Sequence, residues 1–169
     1  MSFNLAAFTL VHVVISLVGI GAGLVVAVGM LRGERLDGWT AAFLATTALT
    51  SVTGFGFPLD HLLPSHVVGG LSLVVLAVAM FARYSRHLAG AWRRVYVIGA
   101  VVALYLNVFV LIAQSFQKVP ALKGMAPTQS EPPFLIAQLF VLALFLVLGV
   151  FAVIRFHGNA PAFAATKMS

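Results

Sequence analysis

Five stretches of this chain contain no Asp, Glu, Lys or Arg: Leu5–Leu31, Trp39–Phe57, Val67–Ala82, Val95–Gln117 and Phe134–Ile154. All ten Lys and Arg and all four Asp and Glu fall between or beyond them. A hydrocarbon core of ~30 Å is crossed by ~20 apolar helical residues, with a range of ~17–25. Four stretches reach that length outright, and the third does so when His66 and a snorkelling Arg83 are included. With 62% hydrophobic and 8% charged residues the chain cannot clothe a water-facing surface, which in soluble domains takes about a quarter charged residues. A soluble enzyme, a disordered segment and a disulfide-stapled module are therefore excluded, the last because there is no cysteine.

A membrane admits helices or closed β-barrels, since backbone groups find no water there. Barrel strands alternate apolar and polar over ~10 residues, whereas these runs are continuous. The expected fold is all-α: one integral membrane domain over residues 1–169. It is read as a bundle of five transmembrane helices spanning about 5–31, 39–57, 66–83, 95–117 and 134–154. The first run is too long for a signal peptide and Met1–Asn4 carries no basic residue, so it reads as a true span.

Lys and Arg in short loops set orientation. Arg32 and Arg35, then Arg83, Arg86, Arg93 and Arg94, then Arg155 and Lys167 share one face, against Lys118 and Lys123 on the other. The N-terminus is expected outside and the C-terminus in the cytoplasm. Trp39, Tyr84, Trp92 and Tyr96 fall at the cytoplasmic ends, where an interfacial aromatic belt belongs. The bilayer itself is then the first partner, with Arg83, Arg86, Arg93 and Arg94 expected on anionic lipid head groups at roughly 1 kcal/mol each. No basic stripe with interleaved aromatics exists, which excludes nucleic acid.

Helices in lipid associate through small residues and interhelical hydrogen bonds. His12, Ser16, Gly19 and Gly23 form one such stripe, and Gly19 and Gly23 could equally meet a neighbouring subunit or membrane protein. Thr46, Thr50 and Thr53, then Gly69 and Ser72, then Gly99, Ala103, Asn107 and Gln114, then Gln138 and Gly149 mark the other helices. The plain expectation is that these faces pack, with His12, Asn107, Gln114 and Gln138 as hydrogen-bonding glue. Their depths suggest more: His12, Thr50, Thr53, Gln114 and Gln138 all fall in the outer half. Intramembrane polar residues are costly and often functional, so a polar pocket opening outward is expected, walled by Phe55, Phe57, Phe116 and Phe134.

Three chemistries compete for that pocket. Haem b could be held by His12 and His66, although their depths differ by about seven residues, or ~10 Å. A metal could sit at Asp60, His61 and His66, whose types are competent ligands but whose spacing matches no signature. A quinone or similar lipophile could be held by His12, Asn107, Gln114 or Gln138 between aromatic walls. Catalysis has little to stand on. Thiol chemistry is absent, no carboxylate lies inside a span, and Ser65, His66 and Asp60 lack a nucleophile elbow. The absence of intramembrane charge also argues against proton-coupled transport.

The segments Thr50-Ser51-Val52-Thr53-Gly54-Phe55, Leu63-Pro64-Ser65-His66 and Ala126-Pro127-Thr128-Gln129-Ser130-Glu131-Pro132-Pro133-Phe134 resemble a group of small bacterial inner-membrane proteins, polytopic and without an assigned activity. The resemblance implies a multi-pass place in the bacterial cytoplasmic membrane and carries over no activity, cofactor or site residue. The first functional expectation is a non-enzymatic accessory or interaction protein. The second is a redox or lipophilic-ligand protein (quinone or b-haem) using a pocket around His12, and the third a small-solute channel or permease.

Overall fold

The structure is a computed structural model that describes residues 2–56 and 64–157, with side chains over 5–56 and 67–157. Every regular element among them is helical: α1 (Ser2–Arg32), α2 (Asp37–Gly54), α3 (Pro64–Met80), α4 (Trp92–Lys118), α5 (Pro120–Met125) and α6 (Pro132–Arg155). α3 runs on into one π-helical turn, Phe81–Ser85. Four helical stretches are long and apolar enough to cross a membrane: Leu5–Arg32, Val67–Ser85, Trp92–Lys118 and Pro132–Arg155. Their outward faces are what a bilayer requires. Along α6, Leu135, Ile136, Leu139, Phe140, Leu144 and Leu146 are all exposed, a continuous apolar patch that water would not tolerate.

α2 is the exception among the five long helices, and its threonines are the reason. Thr40, Thr46, Thr47, Thr50 and Thr53 with Ser51 dilute its apolar character. Several of these hydroxyls turn back on their own helix. Thr46 donates to Ala42 O at 2.7 Å, Ser51 to Thr47 O at 3.0 Å and Thr53 to Leu49 O at 2.7 Å. Such back-bonding lets a hydroxyl sit in an apolar setting without a partner from elsewhere. The helix packs most extensively on α1 and also on α3.

Gly19 and Gly23 let α1 approach. A Cβ on Gly19 would stand 3.1 Å from Thr46 Oγ1, and one on Gly23 would stand 2.6 Å from Leu104 Cδ1 and 2.9 Å from the Phe43 ring. Both glycines are thus met by helices of the same chain, the first of the two possibilities that the sequence leaves open. The same logic brings α3 to α4, where a Cβ on Gly99 would meet Ala79 Cβ at 3.0 Å. Tyr96, Phe43, Phe156, Met30, Leu44 and Leu76 form the buried centre.

One end of the bundle gathers the arginines. Arg83 is buried and its guanidinium meets Asp37 at the start of α2, while Arg35 Nε donates to the same carboxylate oxygen at 2.8 Å. Tyr96 lies under the Arg83 guanidinium, 5.1 Å from centroid to Cζ. Arg83 is therefore not a head-group contact, as the sequence suggested: the π-turn rotates it inward, where a carboxylate and an aromatic face replace water. Arg93 donates to the Phe156 carbonyl and Arg86 stacks on Trp92 at 5.2 Å. Arg94 is exposed.

At the opposite end, the connection from α4 to α6 folds into the short helix α5 and a tight loop. Gln129 Nε2 donates to Ala113 O at 2.7 Å, docking the loop on α4. The Glu131 carboxylate accepts from Thr128 N, Thr128 Oγ1 and Ser130 N at 3.2, 2.8 and 3.1 Å. Slight desolvation opposes these bonds, yet together they hold its pKa below the usual carboxylate range.

Candidate functional site

α2 and α4 run in the same direction, which two hydrogen bonds show. Tyr96 Oη meets Thr40 Oγ1 at 3.4 Å, and further along both helices Asn107 Nδ2 donates to Thr47 Oγ1 at 3.2 Å. Between these two contacts the bundle is closed by Gly23, Phe43 and Leu104. Beyond the second it opens. A cavity of about 420 Å³ lies between α1, α2, α3 and α4, from Asn107 and Leu106 up to Lys118 and Val119.

His12, Asn107 and Gln114 all line this cavity, so the structure brings together three of the residues singled out from the sequence. Gln138 does not line it. It is buried against α4, donating from Nε2 to Phe109 O at 3.2 Å, which is the packing role. Phe55 forms part of the wall. Phe116 and Phe134 instead pack on each other edge to face at 5.4 Å, joining α4 to α6 away from the cavity. Asp60, His61, Phe57 and the His66 side chain lie outside the described residues, and with them the two-histidine haem arrangement and the metal triad. Among the described residues no group of three His, Asp or Glu could hold a metal ion.

The tautomer of His12 follows from its neighbour. Its Nδ1 lies 2.8 Å from Thr53 Oγ1, and the single hydroxyl proton of Thr53 is given to Leu49 O. Thr53 must therefore accept, so His12 carries its proton on Nδ1 and Nε2 is an acceptor.

Two other wall residues stand out by contrast. Thr50 is buried, yet its Oγ1 has no hydrogen-bond partner among the described residues, although Thr46, Ser51 and Thr53 around it all bond back to their helix. Gln114 Oε1 is likewise buried and unpartnered among the described residues. Each such group forfeits about 1–3 kcal/mol unless something meets it.

Comparison with protein-family models, curated proteins and solved structures finds no match to this chain. The site must be judged on its own chemistry. Its wall is mainly apolar with a few convergent polar groups, the usual make-up of a small-molecule site. Ser16, Ser72, Gly54 and Gly69 also line it. Thr50, Gly69 and Ser72 belong to the stripes that the sequence marks: Thr50 shares a face with Thr46 and Thr53, and Ser72 follows Gly69 by one helical turn. What spacing could not reveal is that these small residues leave space.

A wider, shallow groove at the arginine end lies between Arg32, Arg155 and His157. Arg32 and Arg155 sit at the C-termini of α1 and α6, where they offset the helix dipoles.

Proposed function

We propose that this chain is a five-span membrane protein of the bacterial inner membrane that binds a lipophilic small molecule in the cavity between α1, α2, α3 and α4. The observation that carries the reading is the cavity itself, whose mainly apolar wall includes His12, Thr50, Asn107 and Gln114. The closure at Gly23, Phe43 and Leu104 favours a pocket over a permeation path. Among the described residues the wall holds no carboxylate, no cysteine and no nucleophile paired with a base, and the proposed role is binding.

Membrane topology follows from the same parts. α2, at 18 residues and ~27 Å, is just long enough for a fifth crossing when its neighbours bury its threonines. With the arginine end cytoplasmic, the N-terminus is outside, the C-terminus is inside, and the cavity lies in the outer leaflet. The chain has no cysteine, so single cysteines can be labelled without background. In right-side-out bacterial membranes Lys123→Cys is expected to react with an impermeant maleimide, and Arg86→Cys only after permeabilisation. The reverse pattern overturns the orientation, and equal labelling overturns α4 as a crossing.

Ligand binding is tested by purification in mild detergent, followed by organic extraction and mass spectrometry. One lipophilic species is expected near stoichiometric amounts. It should be lost in Gly54→Leu, which fills the cavity without a clash: a Cβ there finds only His12 Cε1, at 3.8 Å. The same species retained in Gly54→Leu, or no species in either protein, would sink the reading. A Soret band in the oxidised and dithionite-reduced spectra would replace it with haem.

A further inference from the structure

The two ends of the cavity differ in chemistry, and the difference bears on the kind of lipophile it takes. This inference rests on the ligand-binding reading above. Along the wall several polar side chains are already bonded. Asn107 donates to Thr47 Oγ1, Ser51 to Thr47 O at 3.0 Å and Ser115 to Leu111 O at 2.7 Å. Thr50 Oγ1 and Gln114 Oε1 each have under 1 Å² of accessible surface, so they lie behind the wall and offer a ligand little. Leu106, Val110, Leu111, Val13 and Leu17 line the same space, and they suit an alkyl chain.

The outer end carries charge. Lys118 lines the cavity where α4 stops, is exposed, and makes no ion pair among the described residues. The described lining holds no Asp or Glu, and its ionisable side chains, His12 and Lys118, are both bases. A cationic head group would find no counter-charge there, whereas an anionic one would find Lys118. From Asn107 to Lys118 α4 rises ~16.5 Å, so a chain laid along it with its head at Lys118 would reach toward Asn107. At about 420 Å³ the space lies near the small end of ligand pockets, ~300–1,000 Å³, which suits one chain better than the two of a phospholipid. Val13 and Leu17 of α1 and Leu111 of α4 line the cavity and are also exposed, so its wall reaches the lipid-facing surface.

We propose that the cavity binds a single-chain anionic amphiphile, a long-chain carboxylate, with its head at Lys118 and its alkyl tail running inward toward Asn107. Radiolabelled laurate is dialysed at about pH 9, where carboxylate and lysine are both charged, against the protein in phosphatidylcholine nanodiscs. Empty nanodiscs are the blank. Saturable binding above the blank is expected. Dodecanol and dodecyltrimethylammonium carry the same chain with a neutral and a cationic head. They should bind about fivefold and about tenfold more weakly than laurate, the order that an ion pair within reach of water supplies. Lys118→Gln should weaken laurate about fivefold and leave dodecanol unchanged, and Lys118→Arg should retain laurate. Lys118 is exposed, so the melting temperature of both variants should match the parent, which separates lost binding from lost fold. Gly54→Leu should abolish binding of laurate and dodecanol alike. Equal affinity for laurate and dodecanol, or unchanged laurate in Lys118→Gln, overturns the anionic head. Dodecanol that is still bound, and lost in Gly54→Leu, then keeps the cavity as a lipophile site. Displacement of laurate by phosphatidylglycerol at equal mole fraction assigns the site to a bilayer phospholipid and overturns the single-chain ligand. Binding of no probe above the blank also overturns the proposal, and the extraction experiment then decides the cavity reading by itself.

Discussion

Asp37→Asn is expected to destabilise the protein by about 2–3 kcal/mol, read as a fall in melting temperature in detergent. The carboxylate answers Arg83, whose side chain is 2% exposed, and little else at that end can take its place. Removing one partner of a buried ion pair typically costs ~3–5 kcal/mol, because the other charge is left uncompensated. The lower figure applies because Asp37 is itself 59% exposed and water can partly replace it. The Tyr96 face at 5.1 Å also keeps part of the cation's stabilisation. The sign of the argument is tested by a double change. Arg83→Met removes the buried charge and keeps the volume, so Asp37→Asn combined with Arg83→Met should be more stable than Asp37→Asn alone. If the single change is silent, the pair is a surface contact and Arg83 is solvated by some other route.

Gly23→Val is expected to cost about 3 kcal/mol or more, and Gly23→Ala about 1–2 kcal/mol, since overpacking a filled core costs ~1–3 kcal/mol even for small additions. A first added carbon at Gly23 already stands 2.6 Å from Leu104 Cδ1 and 2.9 Å from the Phe43 ring. Leu104 and Phe43 are each 1% exposed, so neither has room to retreat. The control is Gly21, two residues from either Gly19 or Gly23, where a Cβ meets nothing within 4 Å. Gly21→Ala should be neutral or stabilising by up to ~1 kcal/mol through helix propensity. Thermal unfolding of the three variants in one detergent decides the matter. Equal behaviour of Gly21→Ala and Gly23→Ala would show that α1 does not seat on α2 and α4 as described.

The residues that were legible beforehand were those whose chemistry conflicts with a lipid setting. His12, Asn107 and Gln114 are conspicuous in apolar runs, and they do come together on one cavity. Gln138 was equally conspicuous and belongs elsewhere, because a helix position one turn away decides whether an amide meets a cavity or a backbone carbonyl. Arg83 was misread for a related reason. A basic residue at a helix end normally snorkels to head groups, but one π-turn is enough to swing it inward onto Asp37 and Tyr96. Gly19 and Gly23 announced close packing without announcing the partner, since a glycine stripe is the same whether the neighbour is α2 or another chain.

By itself the sequence determined the helical membrane class, the positions of its long helices and the division of charge between the two ends. Those are consequences of local composition: a run that is continuously apolar over the width of a bilayer reads as a helix, not as an alternating barrel strand, and charges fall outside it. Only the tertiary structure decided which faces meet, that the bundle is shut at Gly23, Phe43 and Leu104, and that it is hollow beyond Asn107. Space between helices is set by the sum of side chains from four separate segments, and no one segment carries that sum.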